Sequence, residues 1–451
     1  MFEVVATVPV HPDRARVFEH GWQSWSPTAT YPVRATSYRP PSAREAIMGY
    51  RPGRPAPVRG FQGEGLLAID PGDSQPICVF SAPDPLHVPS IRAGYAHGTL
   101  TVSADGPVQA RRFDPPLTAA LGAWAEQFAR EAGAAAPRPA PTGWCSWYHY
   151  FTSVTEADVL ENLAAIGDAE LAVDVIQIDD GWQSEIGDWT TLSDRFTSLH
   201  DLAQRIRDAG RRPGIWVAPF LVGARSRVAA EHPEWLLRSA PGEEPVDAGS
   251  NWNQSLYALD ATHPGAAAYL REVFGGLVAA GFDYFKLDFL YAGALDGVRC
   301  DGSPALSAYR AGLRLIRDAV GPQPYLLGCG APILPSVGLF DAMRVSADIA
   351  LEYEAPDGDP GKPSQLGATL STVSRAFLHG RFWVNDSDCL IVRPAVQRRE
   401  DWAEVVARYG GLRVSSDRIA ELDDWGLQRT RELLATPPPP VPFPVPFPVP
   451  A

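Results

Sequence analysis

The stretch YFKLD at Tyr284–Asp288 has the pattern that decides the fold, because a short, mostly apolar run ends in a carboxylate. The run VDVIQI at Val173–Ile178 has the same form and is followed by Asp179 and Asp180. Nearly continuous apolar strands are typical of parallel sheets, whose strands are buried on both faces. Strands of this kind that alternate with amphipathic helices predict an α/β fold.

Eight such strands, separated by helical segments, follow one another from residue 143 to about residue 435. They are predicted at Gly143–Trp147, Val173–Ile178, Gly214–Ala218, Tyr284–Leu287, Tyr325–Gly328, Met343–Val345, Phe382–Val384 and Leu412–Val414. Helix signals lie between them: Thr155 and Ser198 as N-caps, Pro264 at a helix start and Gly281 at its end. This length and repetition predict a (β/α)8 TIM barrel rather than an open doubly wound sheet.

The rest of the chain divides by composition. Residues 1–131 mix short β-like runs with Pro and Gly turns, which predicts an antiparallel β-sandwich module in front of the barrel. Residues 132–142 are predicted to form an Ala/Pro linker and residues 143–435 the barrel, which we expect to be the catalytic domain for the reasons given below. Residues 436–451 are a proline-rich tail, expected to adopt polyproline II without a packed core. The alternative to a passive tail is one that binds an SH3-like partner.

Composition excludes several functional classes. The 451 residues carry a net charge of −14, which argues against a nucleic acid or an anionic membrane as partner. No apolar run approaches the roughly 18 residues needed to cross a bilayer, and the first residues lack a signal-peptide pattern. The five cysteines are widely spaced without a CxxC pair, which indicates reduced thiols rather than disulfides or a zinc site. We therefore expect a cytoplasmic protein.

Acidic residues follow several of the predicted strands. They are Asp179, Asp180, Asp288, Asp348, Asp386 and Asp388. Chemistry in a TIM barrel takes place at the C-terminal ends of the strands, and glycosidic cleavage requires two carboxylates that face a common pocket. N-capping of the next helix explains any one acid equally well, but it explains poorly so many on one rim. A metal site is the weaker alternative, since no His cluster accompanies these acids, and we expect neither a metal nor an organic cofactor.

Two basic residues lie close to these acids. Lys286 is one of only two lysines in the chain, and the strand period puts its side chain on the same side as that of Asp288. A cation there would keep Asp288 ionised, although an ordinary ion pair inside the barrel is the alternative. Arg344 lies four residues before Asp348 and could hold a substrate hydroxyl or orient a carboxyl group. As an acid, Asp348 would need a raised pKa.

Aromatic residues also lie in segments that lead to this rim or to the first module. They are Trp25, Trp147, Tyr148, Trp182 and Trp216. Indole faces stack on the apolar face of a sugar, so the set favours a carbohydrate pocket, although each residue alone would equally fit a core.

With these residues in hand, the chain resembles glycoside hydrolase family 36, the α-galactosidases or melibiases of clan D. The segments that carry the resemblance occur in the family's order: HGWQSWS (20–26), GWCSWYHYF (143–151), QIDDGW (177–182), PGIWVAPF (213–220), YALD (257–260), YFKLDFLYAG (284–293), LGCG (327–330), MRVSAD (343–348) and FWVNDSDC (382–389). They cover the barrel and one motif of the N-terminal module.

The resemblance implies a retaining double displacement. Asp288 matches the nucleophile and Asp348 the acid/base, while Asp179 and Asp180 match the pair that holds the 4- and 6-hydroxyls of galactose. The other matching positions contact the sugar or lie near it: Trp216, Lys286, Cys329, Arg344, Trp147 and Tyr148. Trp25 matches a residue that reaches over from the N-terminal module.

The implied activity is hydrolysis of terminal α-D-galactosides such as melibiose and raffinose-type oligosaccharides, with these small molecules as partners. Galactosyl transfer of the raffinose-synthase type, an α-N-acetylgalactosaminidase and a catalytically silent sugar-binding barrel are the alternatives. The chain departs from the family in its Val-Ser-Ala-Asp348 segment and in Ser387, where proline is usual. We expect an N-terminal module that is shorter than is usual in the family, and we expect the family's C-terminal β domain to be absent. Assembly into a homo-oligomer is possible.

Overall fold

The residues in front of the barrel form two antiparallel sheets. The structure is a computed structural model and describes residues 1–40, 47–240 and 242–444. The four-stranded sheet has the order Glu3–Pro9, Thr99–Ala104, Ser90–Ala96 and Phe61–Glu64. The five-stranded sheet has the order Ala29–Pro32, Arg16–Glu19, Leu66–Asp70, Ile77–Ser81 and Gln109–Phe113. Apolar side chains of both sheets, Val17, Leu67 and Ile91 among them, pack into one core, so the module is a sandwich.

Eight parallel strands form the second part of the molecule. In chain order the barrel strands are Gly143–Cys145, Val175–Ile178, Arg212–Val217, Tyr284–Leu287, Tyr325–Gly328, Ala342–Arg344, Val384–Asp386 and Val414–Ser415. Each pairs with the next as far as the seventh, and the first pairs with the eighth through Gly143 and Val414. A parallel bridge between Asp386 and Leu412 joins the seventh strand to the segment before the eighth. The prediction of a TIM barrel is confirmed.

Helices cover the outside of this sheet and connect its strands. The α-helices are Leu117–Glu131, Trp147–Tyr150, Glu156–Asp168, Leu199–Asp208, Arg227–Glu231, Pro264–Ala280, Ala305–Val320, Gln365–Ser374, Arg399–Tyr409 and Asp424–Ala435. The 3₁₀ helices are Phe151–Ser153, Pro233–Trp235, Leu290–Ala294, Leu334–Ser336, Ala376–Leu378 and Ile419–Glu421. Thr155 and Ser198 are side-chain N-caps as predicted. Gly281 ends its helix with a φ of +106°, a left-handed conformation that favours glycine.

A three-stranded antiparallel sheet that the sequence did not reveal is inserted after the third barrel strand. Its strands are Leu221–Gly223, Asp247–Asn251 and Gln254–Ala258. The last two form a hairpin whose turn residues, Trp252 and Asn253, both have positive φ. Such a two-residue turn matches the twist of the strands. The hairpin brings Trp252 to the C-terminal edge of the barrel, as its contact with Asp180 shows.

The described part of the proline-rich tail packs on the barrel. The ring of Phe443 stacks on that of His379 with centroids 4.0 Å apart, and His379 Nε2 donates to the carbonyl of Pro439 at 3.3 Å. The expectation of a tail without packed contacts is therefore wrong up to residue 444, while residues 445–451 lie outside the described residues. Within the described ranges, no helix is long and apolar enough to cross a membrane.

Candidate active site

The acids that follow the barrel strands are gathered at one edge of the parallel sheet. Asp179, Asp180, Asp288, Asp386 and Asp388 are all buried, and only Asp348 is partly exposed. Among the helices that the structure describes, none has one of these residues as its N-cap. Capping therefore does not account for them, and their charges must be balanced by the neighbours described next.

Lys286 bridges two of these carboxylates. Its Nζ lies 3.0 Å from Asp179 Oδ2 and 3.9 Å from Asp288 Oδ2. The sequence predicted Asp288 as its partner, but the closer one is Asp179, which lies two barrel strands away. Burial acts to lower the pKa of Lys286, but the two carboxylates outweigh it and hold this pKa well above its ordinary value. The lysine is therefore a fixed cation between the second and fourth barrel strands.

Asp288 is held by two N–H donors. The indole Nε1 of Trp216 donates to Oδ2 at 2.9 Å, and the backbone N–H of Phe289 donates to Oδ1 at 2.7 Å. Donors of this kind, with a cation nearby, stabilise the ionised carboxylate. The arrangement is suited to a nucleophile that has to be charged before it attacks.

Asp180 accepts from two side chains, one three residues further along the chain and one from the inserted hairpin. Gln183 Nε2 donates to Oδ1 at 2.6 Å, and the Trp252 indole donates to Oδ2 at 2.7 Å. Burial, the largest effect, raises the pKa of Asp180 to about 6, and the nearby Asp179 and Asp288 also raise it. Each carboxylate oxygen can accept two hydrogen bonds, so each oxygen of Asp180 retains one acceptor position. Asp179 Oδ2 is more crowded, since Gln177, Cys145 and Lys286 all contact it.

Arg344 is the second cation of the site, and three carboxylates share it. Its Nε lies 3.1 Å from Asp386, Nη1 lies 3.0 Å from Asp348, and Nη2 lies 2.6 Å from Asp388. The guanidinium is almost fully buried. The sequence left open whether Arg344 binds substrate or orients a carboxyl group; in the structure the guanidinium contacts three carboxylates, as the second alternative requires.

Asp348 differs from the other acids in its exposure. About a third of its side chain is exposed (34%), against 0% for Asp388. Burial of the carboxyl group raises the pKa of Asp348 to about 7; Arg344 lowers this pKa, while the negative charges of Asp388 and Asp288 raise it. Asp348 therefore meets the requirement for a general acid near neutral pH.

Three further residues from the sequence analysis have different positions. The hydroxyl of Tyr148 donates to Asp388. Cys329 is buried near Asp288. Burial raises the pKa of its thiol well above the usual value, and the negative charge of Asp288 acts in the same direction. A neutral thiol of this kind is a wall rather than a nucleophile. Trp147 is half-buried against Phe151, and within the described residues it makes no hydrogen bond to this cluster.

Trp25 reaches the site from the N-terminal module. Its ring meets Phe289, the neighbour of Asp288, edge to face at 5.0 Å. A Cβ atom at Gly330 would lie 2.8 Å from the Trp25 ring, so only glycine permits this approach. The sequence predicted that Trp25 lies near the barrel rim, and these contacts define how it gets there.

Arg375 anchors the segment that carries Trp25. It is fully buried and donates to four backbone carbonyls: those of Ser24, Val345, Gln23 and Gly21, at 2.8, 2.9, 3.0 and 3.3 Å. Burial lowers the pKa of Arg375 to about 9. Its contacts join the module to the barrel directly behind the site.

Sequence reasoning missed several residues that hold these groups. The contact between Gln177 and Asp179 could have been predicted, because Gln177 lies two residues before Asp179 on the same strand face. Asp386 and Asp388 were recognised as strand-end acids but not as partners of Arg344. No pattern in the sequence pointed to Gln183 as a partner of Asp180. The same holds for Trp252, which comes from the inserted hairpin.

Comparison of the sequence and the structure with those of known proteins assigns the chain to a family. The family model described as Melibiase matches residues 135–292. The α-galactosidase TtGalA from Thermus thermophilus, solved in complex with p-nitrophenyl α-D-galactopyranoside, is 30% identical, with a TM-score of 0.80 over 96% of this chain and 92% of that one. The chain belongs to the melibiase family of α-galactosidases, glycoside hydrolase family 36. The TtGalA structure with stachyose matches equally well, with 31% identity and a TM-score of 0.81.

Other members of family 36 are longer than the matched region. The family 36 α-galactosidase AgaA from Geobacillus stearothermophilus is 16% identical and shares the fold, with a TM-score of 0.64 over 95% of this chain and 61% of that one. The bifunctional α-galactosidase/sucrose kinase AgaSK from Mediterraneibacter gnavus is 31% identical over 111 residues, which are 23% of this chain and 11% of that relative. The chain thus spans only part of these two relatives.

Proposed function

We propose that the protein is a retaining α-galactosidase that releases terminal α-D-galactose from melibiose and raffinose-type oligosaccharides. The observation that carries this proposal is the pair of strand-end carboxylates in opposite states. Asp288 accepts hydrogen bonds from an indole and a backbone N–H group, and Asp348 is partly exposed with a pKa of about 7. Glycosidic cleavage through a covalent intermediate uses one carboxylate of each kind.

In the first step of this mechanism, Asp288 attacks the anomeric carbon. Asp348 gives its proton to the leaving oxygen, so the glycosidic bond breaks and a β-galactosyl ester forms on Asp288. In the second step, Asp348, now a carboxylate, takes a proton from water. The water oxygen attacks the anomeric carbon, the ester bond to Asp288 breaks and returns its carboxylate, and galactose leaves with its original configuration.

The surrounding residues bind the sugar in this proposal. Asp180 accepts from the galactose hydroxyls through its free acceptor positions, with Asp179 beside it, and these two acids select galactose over glucose. Trp25 and Trp216 bound the pocket. Lys286 and Arg344 balance the charge of the acids, and Cys329, Tyr148 and Trp147 complete its wall.

The experiment that tests the function is a comparison of three substrates: p-nitrophenyl α-galactoside, its N-acetylgalactosamine analogue and melibiose. Hydrolysis of the first and third, with much slower turnover of the second, is the expected result. Preference for the second substrate would make the protein an α-N-acetylgalactosaminidase. Oligosaccharide products in excess sucrose would favour galactosyl transfer, and no turnover of any substrate would leave a sugar-binding barrel.

We also propose a cytoplasmic location. It is supported by the cysteines, all five of which are unpaired, as expected for a reducing compartment.

A further inference from the structure

Asp388 is held more firmly than any other carboxylate around Arg344. It accepts from Arg344 Nη2 at 2.6 Å and from the backbone N–H groups of Cys389 at 2.7 Å and Ile349 at 2.9 Å, and it accepts from the Tyr148 hydroxyl. Its φ of +91° is in a region that non-glycine residues rarely adopt. Backbone strain of this kind persists where the surroundings impose it and is common at functional sites.

Asp348 has only one of these supports. Its Oδ1 accepts from Arg344 Nη1 at 3.0 Å, next to the nitrogen that Asp388 occupies. The backbone N–H of the following residue, Ile349, is bonded to Asp388, so the two acids are linked through the chain as well as through the guanidinium. Burial, the largest effect, raises the pKa of Asp388 above its usual value, while Arg344, the Tyr148 hydroxyl and the Ile349 N–H act in the opposite direction and favour its anion. In its anionic form, Asp388 uses up much of the attraction of Arg344 and repels a second negative charge on Asp348.

Several charged or titratable groups face Asp348 from the elements around it. They are Arg344 at the end of the sixth barrel strand, Lys286 on the fourth and Asp288 directly after it, Cys329 after the fifth, Tyr148 in the helix after the first, and Asp388 after the seventh. Arg344 and Lys286 favour the ionised form of Asp348, whereas Asp288 and Asp388 favour the neutral acid. The proposed reaction gives no other task to Asp388 or to Asp386, the third carboxylate on Arg344, and of these two Asp388 is the one that also accepts from the backbone N–H next to Asp348.

We propose that Asp388 is a positioning residue, which by sharing Arg344 keeps Asp348 protonated and so sets the pH at which the enzyme loses its general acid. This inference rests on the acid/base role proposed above for Asp348. Asp388 itself is buried behind Arg344 and exchanges no proton with the substrate.

The test is the pH profile of kcat/KM for melibiose, whose sugar leaving group needs a proton. In Asp388→Asn, Arg344 is shared by fewer anions, so Asp348 should ionise at lower pH and the alkaline limb should move down by about one pH unit or more. The matched control is Asp341→Asn at the other end of the same strand. Asp341 is also shared by two arginines, Arg138 at 2.7 Å and Arg317 at 2.9 Å, and its variant should keep the wild-type limb. An Asp388→Asn limb at the wild-type position would overturn the proposal.

A second variant keeps the test decisive if Asp388→Asn does not fold. Tyr148→Phe removes one donor from Asp388 but keeps both carboxylates. Asp388 then takes up a proton more readily, so the limb should move in the same direction by a smaller amount. The readout is the position of the limb, which a weaker KM does not move, and an unmoved limb in this variant also overturns the proposal.

Asp348→Asn separates this inference from the proposed function. If that variant hydrolyses melibiose at the wild-type rate, the acid/base assignment itself is wrong. If it is inactive while Asp388→Asn keeps the wild-type limb, only the role of Asp388 is wrong.

Discussion

Each of the two cations of the site lies among carboxylates, yet the two clusters leave their acids in different states. Lys286 lies between Asp179 and Asp288, and Asp288 also accepts from an indole and a backbone N–H. Arg344 is shared by three carboxylates, and among the residues that the structure describes it is the one hydrogen-bond donor to the Asp348 side chain.

The difference shows how one barrel rim can give two residues of the same type different surroundings. Asp288 accepts from two N–H donors beside a lysine, whereas burial and the neighbouring negative charges raise the pKa of Asp348 to about 7. The predictions below either remove this contrast or measure it.

Removing the charged member should have the largest effect. Asp288→Ala takes away the nucleophile, so kcat should fall by about 10⁴-fold or more. Azide should partly restore turnover and yield β-galactosyl azide. The matched control is Asp283→Ala just before the same strand, where a half-exposed carboxylate pairs with Arg212 at 3.0 Å. Wild-type turnover in Asp288→Ala would remove Asp288 as the nucleophile.

Replacing Asp348 should reduce activity less than replacing Asp288, and the size of the loss should depend on the leaving group. Asp348→Asn cannot protonate a leaving sugar, so kcat/KM for melibiose should fall by roughly 10²- to 10⁴-fold. A dinitrophenyl α-galactoside leaves without a proton and should show a much smaller loss in the first step. Equal losses with the two substrates would contradict the acid role.

Replacing Lys286 by an uncharged residue tests the cluster of Lys286, Asp179 and Asp288 as a unit. Lys286→Met leaves Asp179 and Asp288 buried without their cation, which should lower the free energy of unfolding by about 3–5 kcal/mol and reduce kcat/KM. The chain's other lysine gives the control, since Lys362 is partly exposed and pairs with Asp357. Lys362→Met should change the free energy of unfolding by about 1 kcal/mol or less. Urea denaturation measures both, and equal values would contradict the bridging role of Lys286.

The pH profile of the wild-type enzyme should show the titration of Asp180 and of Asp348. Burial raises the pKa of Asp180 to about 6 and that of Asp348 to about 7. Below the first value Asp180 gains a proton and loses acceptor capacity; above the second, Asp348 loses the proton that it has to donate. The kcat/KM for melibiose should therefore peak between these values and fall about tenfold per pH unit on the alkaline side. A profile that stays flat to alkaline pH would contradict this assignment.

The smallest effect is expected at the hairpin. Trp252→Phe removes the indole donor to Asp180 but keeps a ring near Phe289, with centroids 5.1 Å apart in the wild type. Loss of one such hydrogen bond should lower kcat/KM about fivefold, mainly through KM. Trp235→Phe is the control, since that indole stacks on His232 instead. Steady-state kinetics that do not distinguish the two variants would contradict the role of Trp252.

The barrel and its acids could be predicted because their signals are local. A strand buried on both faces is apolar along its length, and an acid directly after it has to lie at the edge of the sheet. Each predicted barrel strand overlaps the observed one, with ends that differ by at most two residues. The caps at Thr155 and Ser198 are equally local.

The pairing of charges could not be predicted in this way. The strand period puts Lys286 beside Asp288, but the preference for Asp179 depends on how the second and fourth strands face each other across the barrel. The sharing of Arg344 depends on how the end of the sixth strand meets that of the seventh, and the donor from Trp252 depends on a hairpin inserted far along the chain. Packing of Phe443 on His379 likewise needs two distant segments to meet.

The anchoring of the Trp25 segment by Arg375 limits how the site can open. A hinge motion that lifted the sandwich module from the barrel would leave a buried guanidinium without its carbonyl acceptors, because Arg375 has no carboxylate partner among the described residues. Such a loss is too unfavourable for a routine step in each catalytic cycle. The module is therefore a rigid wall of the active site, and substrates have to enter past it without a domain movement.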